Sequence, residues 1–109
     1  MHAVAIRREV YERDPWIAQS LAKALGEAKR LCAAAMYDTA ALPYMLPWMH
    51  EEIETARALL GEDWWPYGLE PNRATLETFL RYAVAQGIAG RLLGVEELFA
   101  KETLDTYRI

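Results

Sequence analysis

Near the start of the chain, apolar side chains alternate with small or polar ones; further on they recur at intervals of three and four. Between His2 and Val10 the β-branched Val4, Ile6 and Val10 predict a short strand with one face against a core. A lone strand leaves a row of backbone donors and acceptors without ladder partners. Such a strand has to pair with another segment, pair with another chain, or fray.

Asp14 followed by Pro15 marks a helix start: the carboxylate can accept from an early amide, and proline at the first helical position loses nothing by lacking a donor. The predicted helix runs to about Met36. Ile17, Leu21, Leu25 with Ala24, Ala28, Cys32 and Ala35 form its apolar stripe, and Lys23, Glu27 and Arg30 lie off it. Pro43 and Pro47 interrupt the next stretch, so a second long helix starts near Pro47. It carries Met49, Ile53, Ala56 and Leu60 at helical spacing, has Glu51, Glu52 and Glu54 toward its N-terminal half, and ends at Gly61. Pro71 opens a third helix, with Leu76, Phe79, Leu80 and Ala83 on one stripe and a stop near Gly87. Val95 to Ala100 reads as a short final helix with Gly94 at its N-cap. The expected fold is mainly α, three to four helices after one short N-terminal strand.

Composition narrows this further. Hydrophobic residues make up 53% of the chain, but eighteen of them are alanine, which favours helix and buries little surface. One small domain is the most that 109 residues can form, and an interlobe ligand cleft needs more. A net charge of -4 with scattered Lys and Arg provides no electrostatic footprint for nucleic acid. No apolar run is long enough for a membrane span, and the N-terminus has no signal-peptide pattern. A cytoplasmic location is favoured on these grounds, with a periplasmic one open to a longer parent.

Candidate chemistry is sparse. His50 and Glu54 stand four residues apart, as in helical zinc motifs, but two ligands make a weak site and no metal is assigned. They read as part of a solvated acidic helix face. Ser20 and Cys32 have no evident histidine partner, and read as a helix-surface and a core residue respectively. His2 lies at the start of the expected strand, where ligands gather in open sheets, although a frayed terminal residue is the commoner outcome. The segment Glu62-Asp63-Trp64-Trp65-Pro66-Tyr67-Gly68 is dense in aromatics. Trp65 and Tyr67, with Trp64, could line an aromatic-ligand site or pin the connection onto the helices, the commoner use of such residues.

Four blocks carry a resemblance: Val4-Ala-Ile-Arg-Arg-Glu-Val-Tyr-Glu-Arg, Trp65-Pro-Tyr-Gly-Leu-Glu-Pro-Asn-Arg, Leu76-Glu-Thr-Phe-Leu-Arg-Tyr and Val95-Glu-Glu-Leu-Phe-Ala. In this order they resemble the C-terminal region of the 4,5-dihydroxyphthalate decarboxylase family, a group that shares its pattern with substrate-binding proteins of transporters. The resemblance implies a single partial domain, residues 1–109, of a longer two-lobed α/β protein of the periplasmic-binding-protein type. It implies a small aromatic carboxylate as partner and a cleft completed by residues beyond this chain, which would also pair the strand. Decarboxylation needs cationic groups and a positioned acid. Arg7, Arg8 and His2 are the nearest suitable types, but no family motif assigns them, so catalytic residues and cofactor stay unassigned.

Three functional readings follow from the sequence. One is a decarboxylase segment inactive alone, and another is a segment of a solute-binding protein for an aromatic or other small organic acid. The third is a helical module that self-associates through its exposed strand and apolar helix faces.

Overall fold

In the computed structural model, which describes residues 2–41 and 43–104, helices carry the regular structure. Among the described residues these are α1 (Arg8–Arg13), α2 (Trp16–Tyr37), α3 (Met49–Leu60) and α4 (Arg73–Ala85). Single 3-10 turns form at Glu70–Asn72, Val95–Leu98 and Lys101–Thr103.

No strand forms among the described residues, which corrects the reading of His2–Val10. From His2 to Arg7 there is no regular structure, and the chain then winds into α1. An unpartnered strand leaves its polar backbone unpaired, whereas a helical turn closes its hydrogen bonds locally. The amides of Val10 and Tyr11 both donate to the Arg7 carbonyl at 3.0 Å, and that of Asp14 donates to the Val10 carbonyl at 2.9 Å. Arg8 and Glu12, one turn apart and 3.7 Å from each other, add a helical ion pair. Val4, meant for a core, is exposed. The strand edge expected to mediate self-association is therefore missing.

The chain divides into two compact units. One takes in the residues up to Ala22 and those from Tyr67 onward; the other is Lys23–Pro66.

The first unit has a hydrophobic centre of Leu69, Leu76, Leu80 and Val95, against which Leu93, Phe99 and Leu104 pack. Leu76, Leu80 and Ala83, four and then three residues apart, put one face of α4 inward. Phe79, assigned to the same stripe, falls on its flank and is exposed. Gly87 adopts a φ of +72°, and beyond it the Ile88 and Ala89 amides both turn back to the Ala83 carbonyl. A side chain here would be strained, so glycine suits the stop. The expected final helix is present only as the Val95–Leu98 turn. Gly94 caps it, with its amide donating to Glu97 Oε1 at 2.8 Å while the Glu97 amide returns to the Gly94 carbonyl at 3.0 Å.

In the second unit, Met49 and Ile53 of α3 are buried, Ala56 is half-buried and Leu60 is exposed. Gly61 ends the helix at a φ of +89°, its amide donating to the Arg57 carbonyl at 2.9 Å. The inward face of α2 differs from the expected one. Gly26, Lys29, Ala33, Met36 and Tyr37 are partly covered, while Leu25, Ala28, Cys32 and Ala35 are exposed. Cys32 is thus a surface thiol, not a core residue. Polar anchors select the face: Lys29 and Tyr37 both find partners in the segment after α3, and this turns their side of the helix inward.

Candidate functional site

The aromatic segment after α3 is held by side chains from two helices. Lys29 of α2 donates to Asp63, and Trp64 Nε1 donates to the Tyr37 hydroxyl at 3.1 Å. From α3, Arg57 donates to Glu54 at 2.9 Å and to Glu62 at 2.6 Å, and its guanidinium lies 4.9 Å above the centre of the Tyr37 ring. Hydrogen bonds donated to Glu62 first and Glu54 second strengthen Arg57's hold on its proton. The Arg57 Nε–H is buried without a hydrogen-bond partner. The arginine is pinned between one ring and two carboxylates, a cation–π contact and charge-assisted bonds acting on one group. This arrangement locks the connection in place.

The same anchoring fixes one exposed aromatic surface. Trp64 is half-buried and meets Trp65 edge to face, with ring centres 6.4 Å apart and planes at 77°. Trp65 is 60% exposed. An open indole face next to a pinned partner ring is suited to stacking on a flat aromatic molecule.

Of the three residues singled out as ligand contacts, Trp65 belongs to the second unit, while Tyr67 and His2 belong to the first. Tyr67 is half-buried and His2 is exposed in the stretch before α1. His50 is exposed, and Glu54, one turn further on, accepts from Arg57 at 2.9 Å. Among the described residues no group of three or more His, Cys, Asp and Glu gathers where a metal could sit. Arg7 and Arg8 are already matched by carboxylates, Glu9 at 3.0 Å and Glu12 at 3.7 Å.

Sequence reading missed three polar groupings in the first unit. Arg73 Nη2 reaches Glu70 at 2.6 Å and Glu96 at 2.7 Å, and Nη1 lies 3.8 Å from Glu77. Arg91 binds Glu97 at 2.7 Å, and the Tyr11 hydroxyl donates to Glu102 at 2.8 Å. The spacing of Glu70, Arg73 and Glu77 on successive turns was a usable signal. Nothing local marks the Arg73–Glu96 or Tyr11–Glu102 pairs. The carboxyls respond to these contacts. Glu97 is pulled down to about 2, by Arg91 first and the Gly94 amide second. Glu70 is lowered by Arg73. Glu96 is lowered by its own amide and then Arg73, and Glu102 by its own amide and then Tyr11. The arginine groupings are ion pairs at the surface and the Tyr11–Glu102 bond is half-buried; all three are of structural character.

No protein-family model matches the chain. Among curated proteins it is similar to the 4,5-dihydroxyphthalate decarboxylase of Comamonas testosteroni, with 32% identity over 109 residues, all of this chain and 33% of that protein. The chain is homologous to a portion of that decarboxylase. It spans about one third of the curated relative's length, and all four quoted blocks fall inside the matched stretch. The homology also includes the exposed stripe of α2 and the aromatic segment, since no part of the chain lies outside the match.

Proposed function

We propose that the chain forms the C-terminal portion of a carboxy-lyase acting on an aromatic dicarboxylate of the dihydroxyphthalate class, within a site that needs residues beyond these 109. The observation that supports this most is the 32% identity extending over every residue of the chain. In such a reaction the bond from ring carbon to carboxylate breaks, carbon dioxide leaves, and the electron pair left on the ring carbon takes up a proton. Cations near the leaving carboxylate and an acid near the ring carbon lower that barrier.

Within this reading the exposed Trp65 stacks on the substrate ring. Arg7, Arg8 and Arg13 are paired with Glu9, Glu12 and Asp14, and in this proposal cations outside this chain supply the charge stabilisation.

The test is a chimera: the Comamonas testosteroni relative with its matched third replaced by these 109 residues. Carbon dioxide release from 4,5-dihydroxyphthalate is expected from the chimera and not from the 109 residues alone. In the chimera, Trp65→Ala should weaken binding of the aromatic acid about 2- to 10-fold, as expected for loss of one stacked pair. A folded chimera that binds the acid without releasing carbon dioxide would instead favour a solute-binding protein.

A further inference from the structure

Within the second unit, α2 has three kinds of surface. One side, through Lys29, Ala33, Met36 and Tyr37, is partly covered and anchored. A second carries Lys23, Glu27 and Arg30, with Glu27 and Arg30 paired at 2.6 Å. The third consists of Leu25, Ala28, Leu31, Cys32 and Ala35, which recur at three and four residues, include no charged side chain, and are all exposed. Leu25 is 39% and Leu31 55% accessible. A charge-free stripe along several turns is the pattern of a helix face that packs on another element. Contiguous apolar surface of this kind marks an interaction site.

The length of the homologous decarboxylase indicates what covers the stripe. About two thirds of that protein lies outside the match, while the match includes every residue of α2. We infer that the Leu25–Ala35 stripe of α2 docks against polypeptide corresponding to that remaining part of the relative. This inference rests on the functional reading above, and it names the surface through which the portion joins the rest. The contact is aliphatic and small-residued, with Ala28 and Ala35 leaving room for close approach and Leu25 and Leu31 supplying the buried area.

Cys32 stands in the middle of the stripe, the chain's single thiol and an exposed one. Its rate of alkylation therefore reports coverage directly. Iodoacetamide labelling would be followed by mass spectrometry of the peptide that carries Cys32, in the 109-residue chain and in the chimera described above. In the isolated chain the thiol should react at the rate of an open one at every protein concentration. In the native chimera it should react at least about tenfold more slowly, as for groups released only by local opening, and regain its rate in urea. Leu25→Glu together with Leu31→Glu should restore fast labelling in the chimera while leaving the isolated chain's helix content unchanged.

Equal rates in chimera and isolated chain would overturn the proposal, as would an insoluble chimera beside a soluble parent. Protection in the isolated chain that grows with its concentration would overturn it too, since the occupant would then be a second copy. Labelling does not depend on turnover. A protected Cys32 in a chimera that releases no carbon dioxide would therefore sink the decarboxylase reading and keep the docking surface.

Discussion

Four aliphatic side chains, Leu69, Leu76, Leu80 and Val95, gather around one centre in the unit that includes α4. Among its described large side chains the Lys23–Pro66 unit buries only Met49 and Ile53, and it ties its connection down with Lys29–Asp63, Tyr37–Trp64 and Arg57 bridging Glu54 and Glu62. Aliphatic burial is non-directional and grows with area, whereas a hydrogen bond fixes one geometry for a modest net gain. One unit should therefore be sensitive to lost volume, and the other to lost pairing geometry.

The largest effect is expected from Leu80→Ala, which removes a nearly inaccessible side chain from the middle of the α4 face. Large-to-small changes at such positions cost about 2–5 kcal/mol, read as a lowered urea midpoint and faster amide exchange in α4. A loss below about 1 kcal/mol would remove the basis for contrasting the units, because ordinary surface substitutions fall in that range.

Tyr37→Phe comes next. It keeps the ring beneath Arg57 and removes the acceptor of the Trp64 Nε1–H bond. Losing one half-buried bond of this kind costs about 1 kcal/mol. Tryptophan fluorescence should change, because Trp64 orients the exposed Trp65. Unchanged emission would mean that ring packing alone holds the segment.

Acid should act more gently, and chiefly on the unit with the aliphatic core. Glu70, Glu96, Glu97 and Glu102 all sit below the ordinary carboxylate value of 4.5 when folded, Glu97 at about 2. A lowered folded value means that the native state favours the charged form. Their stabilisation is complete above pH 4.5 and declines as the pH falls toward 2. Glu70, Glu96 and Glu97 are exposed, so salt should blunt their share of the effect, while Glu102 is half-buried. Protection of the amides in residues 94–103, taken relative to the intrinsic exchange rate at each pH, should fall stepwise from pH 6 to 4 to 2.5; constant protection would mean the ion pairs contribute nothing there.

Legibility from sequence divided along the same physical line. Helix existence and limits were readable where proline, glycine and aliphatic spacing act locally: Gly61 and Gly87 end α3 and α4, and Met49–Ile53 and Leu76–Leu80 face inward as their spacing indicates. The strand at His2–Val10 failed because three alternating β-branched residues describe a face, and a strand also needs a ladder partner. The α2 face failed for a different reason. Its periodicity marks a stripe that wants burial, but Lys29 and Tyr37 bind Asp63 and Trp64, residues 34 and 27 positions away. No local pattern carries such pairings. The ligand contacts were readable only as residue types: the density of aromatics marks Trp65, while its surface depends on the distant Tyr37 holding Trp64.

The smallest expected effect tests that last distinction. Leu31→Gln replaces one of the most apolar side chains of α2 by a polar one of similar length and similar helix propensity. If periodicity alone decided what is buried, this change would cost as much as any core substitution. Leu31 is 55% exposed, off the side that Lys29 and Tyr37 turn inward. The isolated chain should therefore keep its urea midpoint, with a change within about 0.5 kcal/mol, the range for surface positions without special contacts. A loss approaching that of Leu80→Ala would place Leu31 in a core and reverse the assignment of the two faces of α2. A null result would mean that this stripe contributes nothing to holding the chain itself together, and that its apolar character serves contact with another polypeptide.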